Sequence, residues 1–281
     1  MTERVSVSVD GGVADVRLNR ADKLNALDPP MFKAIVKAAA LVAGDNSVRA
    51  VVLSGEGRAF CAGLDFSGFM AMADTDGVDT DGNTADDNDN GGDVSAVMRT
   101  DGRITHLAQQ AAHGWSEVPV PVIGAIHGHC LGGGLQIALG ADIRIVHPEA
   151  KLSVLEIRWG LTPDMTITAT LPKLVGLDVA KELTWTGRTI DGKEAHSLGL
   201  ATRLSHDPRD DALALAREIA GKSPQAIRGA KRLIDQSGTV PVADQYAAER
   251  TTIASVIGTP NQVEAVTAYF ERRPPKFTDP A

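Results

Sequence analysis

The chain has 281 residues, 43% of them hydrophobic and 23% charged, with a formal net charge of −8. That length and composition fit a globular protein with a sizeable core, as one large domain or two smaller ones. The acidic balance and the absence of a basic, aromatic-studded stretch argue against nucleic-acid binding, and no apolar run approaches the roughly 20 residues of a membrane helix.

The start, MTERVSVSVDGG, alternates polar and apolar and does not read as a signal peptide. Val5, Val7 and Val9, a Gly11-Gly12 turn and VADVRLNR predict a hairpin. DPPMFKAIVKAAALVAGD predicts a helix capped by Asp28, with prolines in its first turn and Gly44 at its end. VRAVVLSG and VPVPVIGAIHG read as buried strands, the second with its prolines at the start, where a missing N–H matters least. ADIRIVHPEAKLSV reads as a strand pair around His147-Pro148. Helical patterns cover about Arg99 to Trp115, Asp178 to Thr186, Asp210 to Gly221, Pro224 to Gln236, Val242 to Ile257 and Asn261 to Arg273. Strands alternating with helices predict an α/β core, followed by a helical lobe.

Residues 74–93, DTDGVDTDGNTADDNDNGGD, are acidic, glycine-rich and nearly without apolar side chains, so a mobile solvated loop is expected there. A helix–loop–helix calcium site is not: Gly82 falls too early and no glutamate closes a 12-residue loop. Cys61 and Cys130, the two cysteines, are flanked by small or apolar residues and read as buried thiols in a reducing, cytoplasmic setting. His127 and His129 have metal-like spacing, but at a strand end such a pair reads as hydrogen-bonded structure, and no metal is assigned.

Two stretches carry the chemistry. In IHGHCLGGGLQIALGADIRI, Gly132, Gly133 and Gly134 stand between a strand and a helix. There they expose unpaired helical N–H groups to a negative charge or permit tight packing against a neighbouring strand. SGEGRAFCAGLDFSG likewise follows a strand and breaks at Ala62-Gly63. It lacks the third glycine of a dinucleotide fingerprint and the Lys-Ser/Thr of a P-loop. If the two loops converge, their N–H groups suit one developing oxyanion, such as the enolate of a thioester.

Together these motifs resemble the crotonase family, the enoyl-CoA hydratase/isomerase superfamily. NRADKLNAL (19–27) is similar to its N-terminal signature, with Ala21 where proline is usual; GRAFCAGLD and HGHCLGGGLQIALGADIRI are similar to its two oxyanion loops, and LPKLVG and YFERRPPKF fit as well. The resemblance implies a ClpP-like ββα spiral core over 1–208 and a C-terminal helical trimerisation lobe over 209–281. It also implies an acyl-CoA thioester substrate in lipid metabolism, no separate cofactor, and a homotrimer or a hexamer. By position, the oxyanion donors would be the N–H groups of Leu64 and Gly133. Coenzyme A would run past Lys23, Leu24, Ala26, Ala62, Gly63 and Asp65, with Arg272 of the last helix near its phosphates.

Hydratases of this family carry one glutamate where this chain has Gln136 and a second that matches Glu156. An amide holds water but does not shuttle protons at neutral pH. Double-bond isomerisation needs one base, and Glu156 suffices. Dienoyl-CoA isomerases of the family carry an aspartate at the place of Asp164 and a longer segment after the first oxyanion loop, as here between Asp65 and Trp115; their third acid falls at Gln136, which makes the likeness partial. Asp164 after Thr162-Pro163 also reads as a helix N-cap. Trp159, Leu161, Phe66, Phe69 and Met70 are candidates to line an apolar pocket that shifts carboxyl pKa values. The leading expectation is isomerase chemistry by Glu156 with Asp164. The alternatives are a hydratase working with one glutamate and a water held by Gln136 or Asp164, and a non-catalytic acyl-CoA binder.

Overall fold

In a computed structural model, which describes residues 3–65, 99–100 and 102–280, the chain opens with the expected hairpin. Strands β1 (Val5–Asp10) and β2 (Val13–Leu18) pair antiparallel from Val5–Leu18 to Asp10–Val13. Gly11 and Gly12 take φ of 56° and 82°, the left-handed values a tight two-residue hairpin turn requires. Helix α1 (Pro29–Gly44) starts where Asp28 Oδ1 accepts the Met31 N–H at 2.8 Å, and buries Met31, Phe32, Ile35, Ala38, Ala39 and Val42 along one face. Strand β3 (Ala50–Gly55) joins β2 in parallel and is buried along its whole length, as a central strand with both faces covered must be.

Helix α2 (Leu107–Glu117) begins later than the pattern from Arg99 suggests. His106 Nδ1 accepts the Gln109 N–H while Gln109 Oε1 accepts the His106 N–H, a reciprocal cap that sets the first turn. Then come β4 (Val122–Ile126), β5 (His129–Leu131), the short helix α3 (Gly133–Ala138), β6 (Ile143–Val146) and β7 (Lys151–Ser153). The two strands around His147-Pro148 exist but do not pair with each other. The main sheet has the order β1-β2-β3-β4-β6-β9, with β9 at Arg203–Leu204; a second sheet has the order β5-β7-β8, with β8 at Ile190–Asp191. The chain crosses between sheets at that point: His147 N–H bonds Ile126 O, and Lys151 N–H bonds Gly128 O.

Helices α4 (Ile167–Val175), α5 (Leu177–Thr186) and α6 (Gly192–Ser197) fill the path back to β9. In the span 209–281, expected as a helical lobe, the first helix lies on the sheet. Helix α7 (Pro208–Ala220) covers Val13, Ala50, Val52, Ile123, Ala125 and Ile145 with Ala212, Ala216 and Ala220. Small residues let the helix approach that face closely. Helices α8 (Pro224–Asp235), α9 (Val242–Val256) and α10 (Pro260–Glu271) follow. Lys231 of α8 bonds both carboxylate oxygens of Asp142, at 2.5 and 2.6 Å. Among the described residues, no helix is long and apolar enough to cross a membrane. The acidic stretch 74–93 and the pocket candidates Phe66, Phe69 and Met70 lie outside the described residues.

Candidate active site

The two motif loops lie side by side. Cys61 bridges Cys130 in parallel: Cys61 N–H bonds His129 O at 2.9 Å and Leu131 N–H bonds Cys61 O at 3.0 Å. Gly63, at φ 88°, sits so close to the second loop that a β-carbon there would lie 2.7 Å from Leu131 O. On its other side the first loop bridges Leu27, whose N–H bonds Gly63 O at 2.8 Å and whose C=O accepts the Asp65 N–H at 2.9 Å. Leu27 thereby engages residues 63 and 65, so the N–H of Leu64 points away from it, as alternation along an extended strand requires.

The glycine run satisfies tight packing, one of its two readings. A β-carbon at Gly132 would lie 3.3 Å from Glu156 Oε1, one at Gly133 2.8 Å from a Leu27 methyl, and one at Gly134 2.5 Å from Cys61 O. The other reading is compatible with it. The first intrahelical bond of α3 runs from Gln136 N–H to Gly132 O, so the Gly133 N–H precedes the helical ladder.

Gln136 is 1% exposed and held at both ends of its amide. Its Oε1 accepts the Met165 N–H at 2.8 Å, which forces its Nε2 to face Glu156 Oε1, 2.6 Å away. Glu156 is partly buried. Its Oε2 is buried and has no hydrogen-bond partner among the described residues. Burial pushes the Glu156 carboxyl above the usual carboxylate range; the Gln136 hydrogen bond opposes this and the charge of Asp164 adds to it. The result is an acid with one oxygen fixed and the other free to exchange a proton.

Asp164 is near enough to act on Glu156 but is not the helix cap. Helix α4 starts at Ile167, and its N-cap is Thr166, in the left-handed region at φ 72° with no side-chain cap bond. The Asp164 carboxylate faces His106 Nε2 at 3.9 Å instead. Trp159 and Leu161, candidates for a pocket wall, are 54% and 36% exposed.

Of the residues expected along coenzyme A, Lys23 ends a 3-10 turn (Ala21–Lys23) and is exposed; Leu24 follows it with φ 52°. Ala62 N–H bonds Leu24 O at 2.9 Å, which lays that segment along the first loop. The Asp65 carboxylate pairs with Arg20 Nη1 at 2.7 Å and is 12% exposed. Arg272 caps the last helix rather than lying within it, and is exposed. Cys61 and Cys130 are free and buried; burial pushes the Cys61 thiol up to about 12 and the Cys130 thiol up as well. Such thiols are inert. His127 Nε2 is hydrogen-bonded to Gly57 O at 3.0 Å. Among the described residues, no group of three or more His, Cys, Asp or Glu side chains is arranged to hold a metal ion.

Sequence reasoning missed Asn25 and Met165. Asn25 is wholly buried at φ 57°; its Oδ1 accepts the Arg20 N–H and its Nδ2 donates to Glu56 O and Ala59 O. Asparagine tolerates the left-handed region and bonds nearby backbone, and that was the available signal. Met165 contributes a backbone N–H, which no residue type reveals.

A mainly parallel sheet whose strand-end loops meet beside a buried amide–carboxyl pair defines an α/β protein of the crotonase fold. Comparison with known proteins agrees. The profile of the enoyl-CoA hydratase/isomerase family matches residues 13–279. The chain is 32% identical over 273 residues to human mitochondrial methylglutaconyl-CoA hydratase, covering 95% of this chain and 74% of that one. It is 33% identical over 273 residues to mouse mitochondrial enoyl-CoA hydratase domain-containing protein 2, covering 95% and 84%. The solved enoyl-CoA hydratase of Bacillus anthracis superposes with a TM-score of 0.83 at 28% identity, covering 98% of each chain. The chain therefore belongs to the enoyl-CoA hydratase/isomerase family and is an acyl-CoA enzyme of that family. These relatives carry hydratase names, and the expected leaning toward the isomerase branch finds no support among them.

Proposed function

We propose that the protein is an enoyl-CoA hydratase in which Glu156 alone carries the proton transfer. The observation that carries this reading is the Gln136–Glu156 pair, with its fixed Oε1 and unpartnered Oε2. The thioester oxygen accepts hydrogen bonds from the Leu64 and Gly133 N–H groups, which stabilise the negative charge that develops there. Ionised Glu156 takes a proton from water as the oxygen adds to the β carbon, then delivers that proton to the α carbon. Atoms balance, and the carboxylate returns to its starting state. Gln136 orients Glu156 and transfers nothing. Lys23, Leu24, Ala26, Ala62 and Gly63 line the coenzyme A path, and Arg272 meets its phosphates. Asp65 belongs to this set as well, with its carboxylate engaged by Arg20.

The second reading is double-bond isomerisation by the same residue, which removes an α proton and returns it further along the chain. It draws on the same single acid and on the nearby charge of Asp164. Homotrimers or hexamers are part of the proposal, supported by the exposed apolar residues of α9 and α10, such as Ile253, Tyr269 and Phe270.

The test supplies crotonyl-CoA, a 3-enoyl-CoA and a 3,5-dienoyl-CoA separately in deuterated water, with products read by mass and ultraviolet spectrum. Hydroxyacyl-CoA with one deuterium at the α carbon is expected from the first. Shifted double bonds without added water replace the hydratase reading by the isomerase one, and tight binding with no turnover replaces both by the binding-only protein. Glu156→Gln is expected to lower turnover by at least about 10²-fold, within the range of lost general acid–base catalysis, with the fold kept. A Glu156→Gln protein as fast as the parent removes the proposal.

A further inference from the structure

The mechanism leaves the largely enclosed charge of Arg20 unused. Arg20 is 11% exposed, yet its guanidinium touches none of the groups that would transfer protons. Its Nη1 is shared among Ala26 O at 3.0 Å, Asp65 Oδ2 at 2.7 Å and Asp28 Oδ2 at 3.4 Å. Asp28 in turn caps α1 through Oδ1 and pairs with Arg4 Nη2 through Oδ2 at 2.6 Å. The charges alternate along the chain of contacts Arg4, Asp28, Arg20, Asp65. Each carboxylate meets a cation, so none is left buried and alone.

What this network holds matters more than its stability. Asp65 directly follows Leu64, and Ala26 directly precedes Leu27, the residue that bridges Leu64. Arg20 therefore grips both strands of that bridge at once, one by a carbonyl and the other by a carboxylate. Its own backbone is fixed too: Asn25 Oδ1 accepts the Arg20 N–H at 2.8 Å.

We propose that Arg20 is a positioning residue that aims the Leu64 N–H at the thioester oxygen by holding Asp65 and Ala26 together. The proposal deepens the oxyanion-hole reading above and rests on it. Arg20 touches no substrate. It acts through Asp65 and through the bridge to Leu27. An N–H donor displaced by a fraction of an ångström loses much of its effect on a developing charge, because the charge forms at one fixed point.

The test uses four full-length proteins: the parent, Arg20→Met, Asp65→Asn and the double variant. Each is saturated with a conjugated arylacrylyl-CoA, whose ultraviolet band moves to longer wavelength when its carbonyl is polarised. Arg20→Met is expected to lose most of that red shift and to lower kcat for crotonyl-CoA hydration by about 10-fold to 100-fold, more than KM rises. Asp65→Asn, which keeps Arg20 paired to Asp28, is expected to move the band in the same direction. The double variant is expected to add little, since both changes cut one linkage. If Arg20→Met does not fold, Asp65→Asn alone decides. A purely structural role predicts lower melting temperatures with the red shift and kcat intact in the folded proteins, and that result overturns the proposal. No red shift in the parent overturns the oxyanion reading itself, and this inference with it.

Discussion

The paired glycine loops and the C-terminal helices bury their residues by opposite rules. In the loops, backbone lies against backbone: Gly63 abuts Leu131 O, Gly134 abuts Cys61 O, and an added β-carbon would stand under 3.0 Å from each. In α9 only Thr252 is buried, while Val242, Tyr246 and Ile253 are more than half exposed; in α10, Tyr269 and Phe270 are 79% and 77% exposed. Contacts between backbones have no rotamers to relax, so the loop geometry is rigid. Contacts between side chains, on helices with an open outer face, can adjust. The chemistry therefore sits where the chain cannot give, and the adaptable surface sits where apolar residues suit a partner.

The sharpest way to break this contrast is Gly134→Ala. The new methyl meets Cys61 O at 2.5 Å and Cys61 Cβ at 2.8 Å, both belonging to the bridged strands, so the two loops must separate. A loss of about 3 kcal/mol is expected in denaturant melts, at the upper end of overpacking effects. Parent-like stability would mean that the loops are looser than their contacts indicate.

Gln136→Glu sharpens the contrast on the chemical side. It sets a second carboxyl 2.6 Å from Glu156 in the same rigid frame, where the two must share a proton. Crotonyl-CoA hydration is expected to rise by about 10²-fold if the missing acid limits the rate. Stability should show the same frame. The Glu156 carboxyl is raised above its ordinary value of 4.5, so above that pH the native state holds more protons than the unfolded one. Stability therefore falls as pH rises from there through the raised value. The fall is expected to be steeper in Gln136→Glu and flatter in Glu156→Gln, as measured by urea melts across that window. Equal slopes in all three proteins would show that Glu156 is not strained by its setting.

Much of this frame is legible in residue order. The hairpin, the capped α1, the buried β3 and the helices from 208 onward follow from periodicity, prolines and caps. What escapes is what depends on contacts between distant segments. The strands around His147-Pro148 are visible, but their division between two sheets depends on β4 and β5, which precede them. Asp164 has the residue type of a cap, yet the turn at Thr166 moves the helix start past it. At the site, motif order brought out Gln136 and Glu156 and the two loops. The amide that locks Gln136 comes from Met165 backbone, and Asp65 turns toward Arg20, 45 residues earlier in the chain. Neither bond leaves a mark in composition or spacing.

The smallest expected effect makes the comparison most directly, because it repeats the glycine-to-alanine change in the other region. A β-carbon at Gly229 in α8 would stand 2.8 Å from Thr252 Cγ2, under 3.0 Å as at Gly134. Here, though, the neighbour is a side-chain methyl on α9, whose outer face is open. A shift of α9 by a few tenths of an ångström relieves the contact, and Arg232 Nη2 can follow its 3.0 Å bond to Thr252 Oγ1. Alanine in a helix interior also gains about 1 kcal/mol over glycine. The two terms roughly cancel, so Gly229→Ala is expected to melt within about 0.5 kcal/mol of the parent, the ordinary range for a tolerated substitution. A loss as large as that of Gly134→Ala would place α8 and α9 in the same rigid class as the loops, and the division drawn between chemistry and adaptable surface would fail at its helical end.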